Sequence, residues 1–252
     1  MRDQPAQQAP PAQKLRLRYA KRGRLRFTSH RDFGRAFERA VQRAEIPVAF
    51  SSGFSPHPRI SYANASPTGA ASEAEYLEIG VTRLCRPAEV RRALDAALPD
   101  GLDVLDVVVA GSGSLADRLE AALWRVDLPG LDVVDVESAV QRFLRCEELL
   151  VERMTKRGVR SFDCRGAVVR LSARDGSSGR GECATMEMVV RHGTPAVRPD
   201  DILAGLRQIA GLVPPVAPLQ TRLAQGPLDP ESGDVGDPFE PDRDVPTVGS
   251  DR

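Results

Sequence analysis

Three histidines and a dense run of arginines are the residues of this chain whose types could do chemistry. His30 follows Ser29 where a helix is expected to begin. A helix N-terminus disfavours the imidazolium and offers free N–H groups to anions. His30 is therefore read either as an acid or base beside a phosphate, helped by Arg31 and Arg35, or as a structural histidine at a cap. His57 lies in "SSGFSPHPRISYA" (51–63). There Gly53 permits close backbone approach, and Pro56 and Pro58 hold the segment extended. The stretch is read as a ligand-binding loop presenting Ser52, Gly53, Phe54, Ser55, His57 and Arg59, or as a structural connection punctuated by proline. His192, between a strand and Gly193, is given a loop role. The four cysteines are 61, 18 and 19 residues apart. No CxxC or CxH pair occurs, so buried free thiols are expected and no metal site. The sequence holds no P-loop, HExxH or nucleophile–base motif.

The charge is uneven. Between Lys14 and Tyr62 there are twelve Lys or Arg against three acids, a net +9, and residues 228–252 carry a net −6. That asymmetry points to an anionic partner for the basic segment, or to a solubilising surface with a solubilising tail. Arg16, Arg18, Arg24 and Arg26 are expected to share one face of the opening strands. They would form a basic platform with Phe54 or Tyr62 as base-stacking partners, a solvated strand face, or a dock for an acidic protein. "ERMTKRGVRSFD" (152–163) reads as a basic hairpin carrying Lys156 and Arg157. It would clamp a nucleic-acid backbone or simply stand exposed.

The elements that must position these residues follow from periodicity. "LRLRYA" alternates as a half-buried strand, "KRGR" turns, and "LRF" resumes the alternation. Ser29 and Asp32 form a capping pattern before a helix with Phe33, Ala36, Phe37, Ala40, Val41 and Ala44 on one stripe. Arg31, Arg35, Arg39 and Arg43 make a basic ridge at four-residue steps. "IPVAF", "RISYA" and "EYLEIGV" read as strands, "RPAEVRRALDAAL" as a helix and "GLDVLDVVVA" as a strand. The second half repeats this order, and "RPAEVRRAL" (86–94) aligns with "RPDDILAGL" (198–206) without a gap. The expected architecture is α+β, two tandem ferredoxin-like βαββαβ units at 14–111 and 112–213. Residues 1–13 and the Pro-rich acidic segment 214–252 are expected to be disordered. No apolar run spans a membrane and no signal-peptide core opens the chain, so a cytoplasmic location is expected.

"LRFTSHRDFGRAFERAVQRAEIPVAFSSGFSPHPRISYA", followed by "EAEYLEIGV" and, later, "VERMTKRGVRSFDCR", resembles the radical-SAM-linked protein family. Arg31 stands where that family often has leucine. A more distant likeness is to the ferredoxin-like RNA-processing proteins of CRISPR systems. The first resemblance implies a radical SAM enzyme as partner. This chain has no CxxxCxxC to hold an iron–sulfur cluster, so no cofactor is expected in it. The expected function is an accessory subunit that presents RNA or another anionic substrate through a basic cleft, in which His30, His57 and Arg59 would converge. Two alternatives are a metal-independent endoribonuclease using His30 or His57, and a scaffold that only docks the partner enzyme.

Overall fold

The computed structural model describes residues 7–155, 158–176 and 183–246. It is α+β, and its contacts divide it into two units. The first comprises Met1–Asp117 together with Pro238–Arg252, and the second Arg118–Asp237.

The first unit opens with β1 (Gln13–Lys21), a short 3-10 turn (Gly23–Phe27) and α1 (His30–Arg43). Then come β2 (Ile60–Ala63), β3 (Ala71–Val81), α2 (Pro87–Ala97) and β4 (Val104–Val109). The sheet runs β4-β1-β3-β2, antiparallel throughout. α1 starts where the sequence predicts. Ser29 accepts the Asp32 N–H at 3.2 Å and donates its hydroxyl to the Asp32 carboxylate at 2.7 Å. Asp32 thereby puts negative charge against the positive end of the helix. The apolar stripe buries Phe33, Phe37, Ala40 and Val41. Phe33 stacks on Tyr19 of β1, ring centroids 4.2 Å apart, so the first helix is fixed to the first strand by an aromatic pair. Leu15, Leu17, Leu77, Ile79, Val90 and Leu94 complete the same core.

The second unit contains β5 (Ala121–Pro129), α3 (Val133–Arg145), β6 (Leu150–Thr155) and β7 (Gly158–Asp163). It continues with β8 (Val168–Asp175), β9 (Cys183–Arg191), α4 (Pro199–Ala210) and β10 (Leu219–Gly226). The sheet runs β10-β5-β9-β8, antiparallel, while β6 and β7 pair with each other. α4 comes close to its neighbours at Gly205, where an added Cβ would lie 2.8 Å from Leu149 and 3.1 Å from the Cys164 sulfur. A side chain there would have to push aside the Leu149 methyl and crowd the Cys164 sulfur.

Three expectations are corrected. "LRF" is not a strand: Leu25 to Phe27 belong to the 3-10 turn, so Arg24 and Arg26 do not extend a strand face with Arg16 and Arg18. "IPVAF" forms only isolated bridges, Val48 with Val81 and Phe50 with Pro58, because Pro47 and Pro58 cannot donate to a ladder. The segment from 214 is not a disordered tail. It supplies β10, and residues 238–246 belong to the first unit, with Phe239 and Asp242 fully buried. At the other end, Ala12 donates its N–H to Val81 and Gln13 begins β1. Residues 1–6 and 247–252 lie outside the described residues.

Candidate functional site

The outward face of β1 carries Arg16, which was expected to offer its charge to a ligand. It does not. Arg16 is 1% exposed, and its guanidinium reaches both carboxylate oxygens of Asp242 at 2.8 Å. Its Nε donates to Glu78 at 3.1 Å and its remaining nitrogen to the Gly113 carbonyl. Asp242 also accepts the Gly111 N–H at 2.9 Å. Phe239 packs edge-on against Tyr76, and Arg243 pairs with Asp106 at 3.1 Å. The acidic C-terminal segment thus neutralises part of the basic segment from within the same unit. The opposite signs of those two stretches were the one signal in the sequence for this contact. Arg18 is half-buried and donates to the Glu73 carbonyl at 2.8 Å, so it too is engaged structurally.

The loop after Phe50 is closed by its own hydrogen bonds. Ser51 donates its N–H to the His57 carbonyl at 2.8 Å, and His57 donates its N–H to Ser51 Oγ at 3.0 Å. Ser52 Oγ accepts the Gln8 N–H, and Arg59 Nε donates to the Phe50 carbonyl at 3.2 Å. Gly53 has φ +130°, a backbone setting other residues rarely adopt. Phe54 at the tip is 74% exposed, and Ser55 is exposed beside it. At the base of the loop is a cavity of about 220 Å³ lined by Lys14, Ser51, His57, Arg59, Ser61 and Glu78 among others. Lys14 is already paired with Glu78 at 2.9 Å.

His30 is not among the residues lining that cavity, and the period of β2 explains why. Ser61 lies opposite Glu78, whereas Tyr62 lies opposite Leu77. Directly opposed residues share a side of the sheet and successive ones alternate. Leu77 is in the core, so Tyr62 faces the helices, while Ser61 and Glu78 face away from them. His30 packs on Tyr62 at 4.7 Å between ring centroids. His57 thus lines a cavity with Ser61 and Glu78, while His30 packs on Tyr62 on the helix side, so the two histidines do not line one cavity. Tyr62 is no free stacking platform either: it contacts His30 and Phe33, and burial, with Glu38 adding to it, pushes its hydroxyl up to about 12.

On the helix side, Arg31, Arg35 and Arg39 are exposed and have no side-chain partner among the described residues. Arg43, the fourth member of the ridge, donates to the Ala97 carbonyl at the end of α2. Arg24 is exposed, and Arg26 sits over the Phe27 ring at 4.4 Å from its centroid. Phe27 itself, 58% exposed, did not figure among the sequence candidates. Its place directly after Arg24 and Arg26 was the available signal. The free cations of the basic segment are thus concentrated on α1 and the turn before it, not on the strands.

The residues flanking 156 and 157 pair as the expected hairpin, Thr155 opposite Gly158, while Lys156 and Arg157 lie outside the described residues. Arg153 is a structural residue that pairs with Asp201 at 2.6 Å and covers the Phe162 ring. The cysteines are free thiols. Burial pushes Cys164 up to about 12 and raises Cys85, which suits inert residues. No group of three or more His, Cys, Asp or Glu among the described residues could hold a metal ion, and no helix among them is long and apolar enough to cross a membrane.

His192 anchors its strand end: its N–H donates to the Glu120 carbonyl and its Nδ1 meets the Leu119 carbonyl, both at 2.7 Å. Burial lowers its pKa below the usual 6.5. The unfolded chain then binds the proton more readily than the folded one. Stability from the neutral ring is full above about pH 6.5 and is lost as pH falls below it. Melting temperature measured from pH 7.5 down to about 5.5 should therefore drop more steeply for the wild type than for His192→Gln. Parallel curves would refute the assignment.

The chain belongs to the family described as "Uncharacterized protein conserved in bacteria (DUF2344)", whose model matches residues 14–199. No curated protein matches the chain. Among solved structures, an unknown protein from Galdieria sulphuraria is similar at 15% identity with a TM-score of 0.23, over 83% of this chain and 98% of that one. DyPB from Rhodococcus jostii RHA1 is similar at 14% identity with a TM-score of 0.20, over 81% of this chain and 86% of that one. Scores that low carry no argument about this chain.

Proposed function

We propose that this protein is a cytoplasmic RNA-binding accessory subunit that holds its substrate for a radical SAM enzyme. The observation that carries the RNA-binding part is the α1 ridge, where Arg31, Arg35 and Arg39 are exposed and unpaired among the described residues. Four residues of helix rise about 6 Å, and the three positions fall within about 80° of one face. Three guanidinium forks in such a row suit successive phosphates of one backbone, each taken by charge-assisted hydrogen bonds. The radical SAM partner is supported by the sequence resemblance alone. Reading the two units as duplicated ferredoxin-like halves is supported by their strand orders. β4-β1-β3-β2 in the first matches β10-β5-β9-β8 in the second once the β6–β7 hairpin is set aside. The endoribonuclease alternative, with His30 or His57 as general acid or base, is less favoured: neither histidine has a nucleophile–base or metal constellation beside it among the described residues, whereas the arginine ridge needs only an anion to bind.

The test is electrophoretic or anisotropy binding to total RNA and tRNA at several salt concentrations. Three phosphate contacts predict a log–log slope of about −2 to −3. Absence of any complex at low salt, or a complex indifferent to salt, would remove the proposal.

A further inference from the structure

We infer that Phe54 is a stacking anchor for an unpaired nucleobase, so that the nucleic acid this protein holds is single-stranded where it meets the 51–59 loop. The inference rests on the RNA-binding reading and narrows it to one substrate form. Its ground is a ring held out into water on a closed loop, with nothing of its own to cover it. Phe54 is the most exposed phenylalanine of the chain's described residues and has no ring partner among them. The loop that carries it is not slack. The Ser51–His57 hydrogen bonds close its ends, the Phe50–Pro58 bridge holds its stem, and Pro56 restricts the backbone two residues beyond the ring. Gly53, with φ +130°, makes the bend that turns the next residue outward. An aromatic side chain preorganised in this way loses little freedom on binding, which is what makes such residues effective anchors.

The neighbours select the occupant. Arg59 and Lys14 line the cavity at the loop's base beside His57; Lys14 is balanced by Glu78, so the Arg59 guanidinium is the cation a phosphate beside the stacked base would meet. A flexible single strand can splay a base onto the ring and lay its phosphate toward that cavity. A duplex has its base faces buried in its own stack and offers the ring only its outer backbone. The chemistry therefore matches unpaired, sequence-tolerant nucleic acid.

The experiment uses the full chain and two labelled probes, an unstructured single-stranded RNA and a blunt RNA duplex of the same length. Phe54→Ala should weaken single-strand binding roughly 5- to 150-fold, the range for losing one stacked base, while leaving duplex binding unchanged. Phe54→Trp should restore single-strand affinity, with new tryptophan emission quenched on binding. The native Trp124 is buried and serves as background in the wild type. Wild-type affinity in Phe54→Ala, or an equal loss on both probes, would overturn the anchor and leave the ridge proposal standing. Failure of the wild type to bind either probe would overturn both.

Discussion

Replacing Asp242 with alanine should destabilise the first unit by about 3–5 kcal/mol, as much as truncating a large core side chain. Asp242 is fully buried and holds Arg16, itself 1% exposed, through two 2.8 Å hydrogen bonds. Without that carboxylate the guanidinium keeps Glu78 and the Gly113 carbonyl, but Nη1 loses both of its acceptors inside the protein. The Gly111 N–H loses its acceptor as well. A buried charge left without its partner costs much more than the pair contributes net. The neighbouring Arg243–Asp106 pair is the internal control. Its side chains are substantially exposed, so Arg243→Ala should cost no more than about 1 kcal/mol. Urea unfolding of the two variants against wild type decides the matter: similar midpoints for Asp242→Ala and Arg243→Ala would show that the C-terminal segment is not an integral part of the unit. A double change, Arg16→Met with Asp242→Leu, should recover part of the loss, because it removes both members of the buried pair rather than leaving Arg16 with Glu78 as its one remaining counter-charge.

Local pattern made much of this fold legible. The five-position stripe from Phe33 to Val41, the Ser29 cap and Pro87 at the first turn of α2 are statements about neighbours three or four residues apart, and helices respond to such neighbours. β10 was hidden for a physical reason. Three of its buried residues are Thr221, Arg222 and Gln225, with Arg222 lying over Trp124, so the strand has no apolar alternation to read. The Arg16–Asp242 contact joins residues 226 positions apart, beyond any periodicity. The shared cleft of His30 and His57 failed on information the sequence did contain. "RISYA" alternates, so a residue two before Tyr62 shares its side and the residues one and three before it do not. Following that period from Tyr62 back to Arg59 would have put Arg59 on the side away from His30. For the candidate site, residue types were legible and availability was not: Arg16 and Arg31 look alike in a sequence, and only the fold tells which one is already occupied.

Availability is what the second large effect measures. Replacing Arg31, Arg35 and Arg39 together with alanine should weaken RNA binding about 100-fold at 0.1 M salt. Each phosphate contact contributes roughly 0.7–0.9 to the salt exponent, so three contacts at tenfold dilution from 1 M account for about two decades. The log–log slope should become shallower by about 2 to 3 in the same measurement. The fold should not suffer, because all three side chains are exposed and alanine is the best helix former. The matching lysine variant keeps the charges but not the planar forks. It should hold the wild-type slope while losing the affinity that depends on bidentate geometry. The same three alanines placed in a Phe54→Ala background should give a loss on single-stranded RNA near the product of the separate losses, since Phe54 and the three arginines share no side-chain partner among the described residues. If the triple alanine variant binds within about threefold of wild type with its slope unchanged, α1 is a solvated helix face and the anionic partner, if one exists, is held elsewhere.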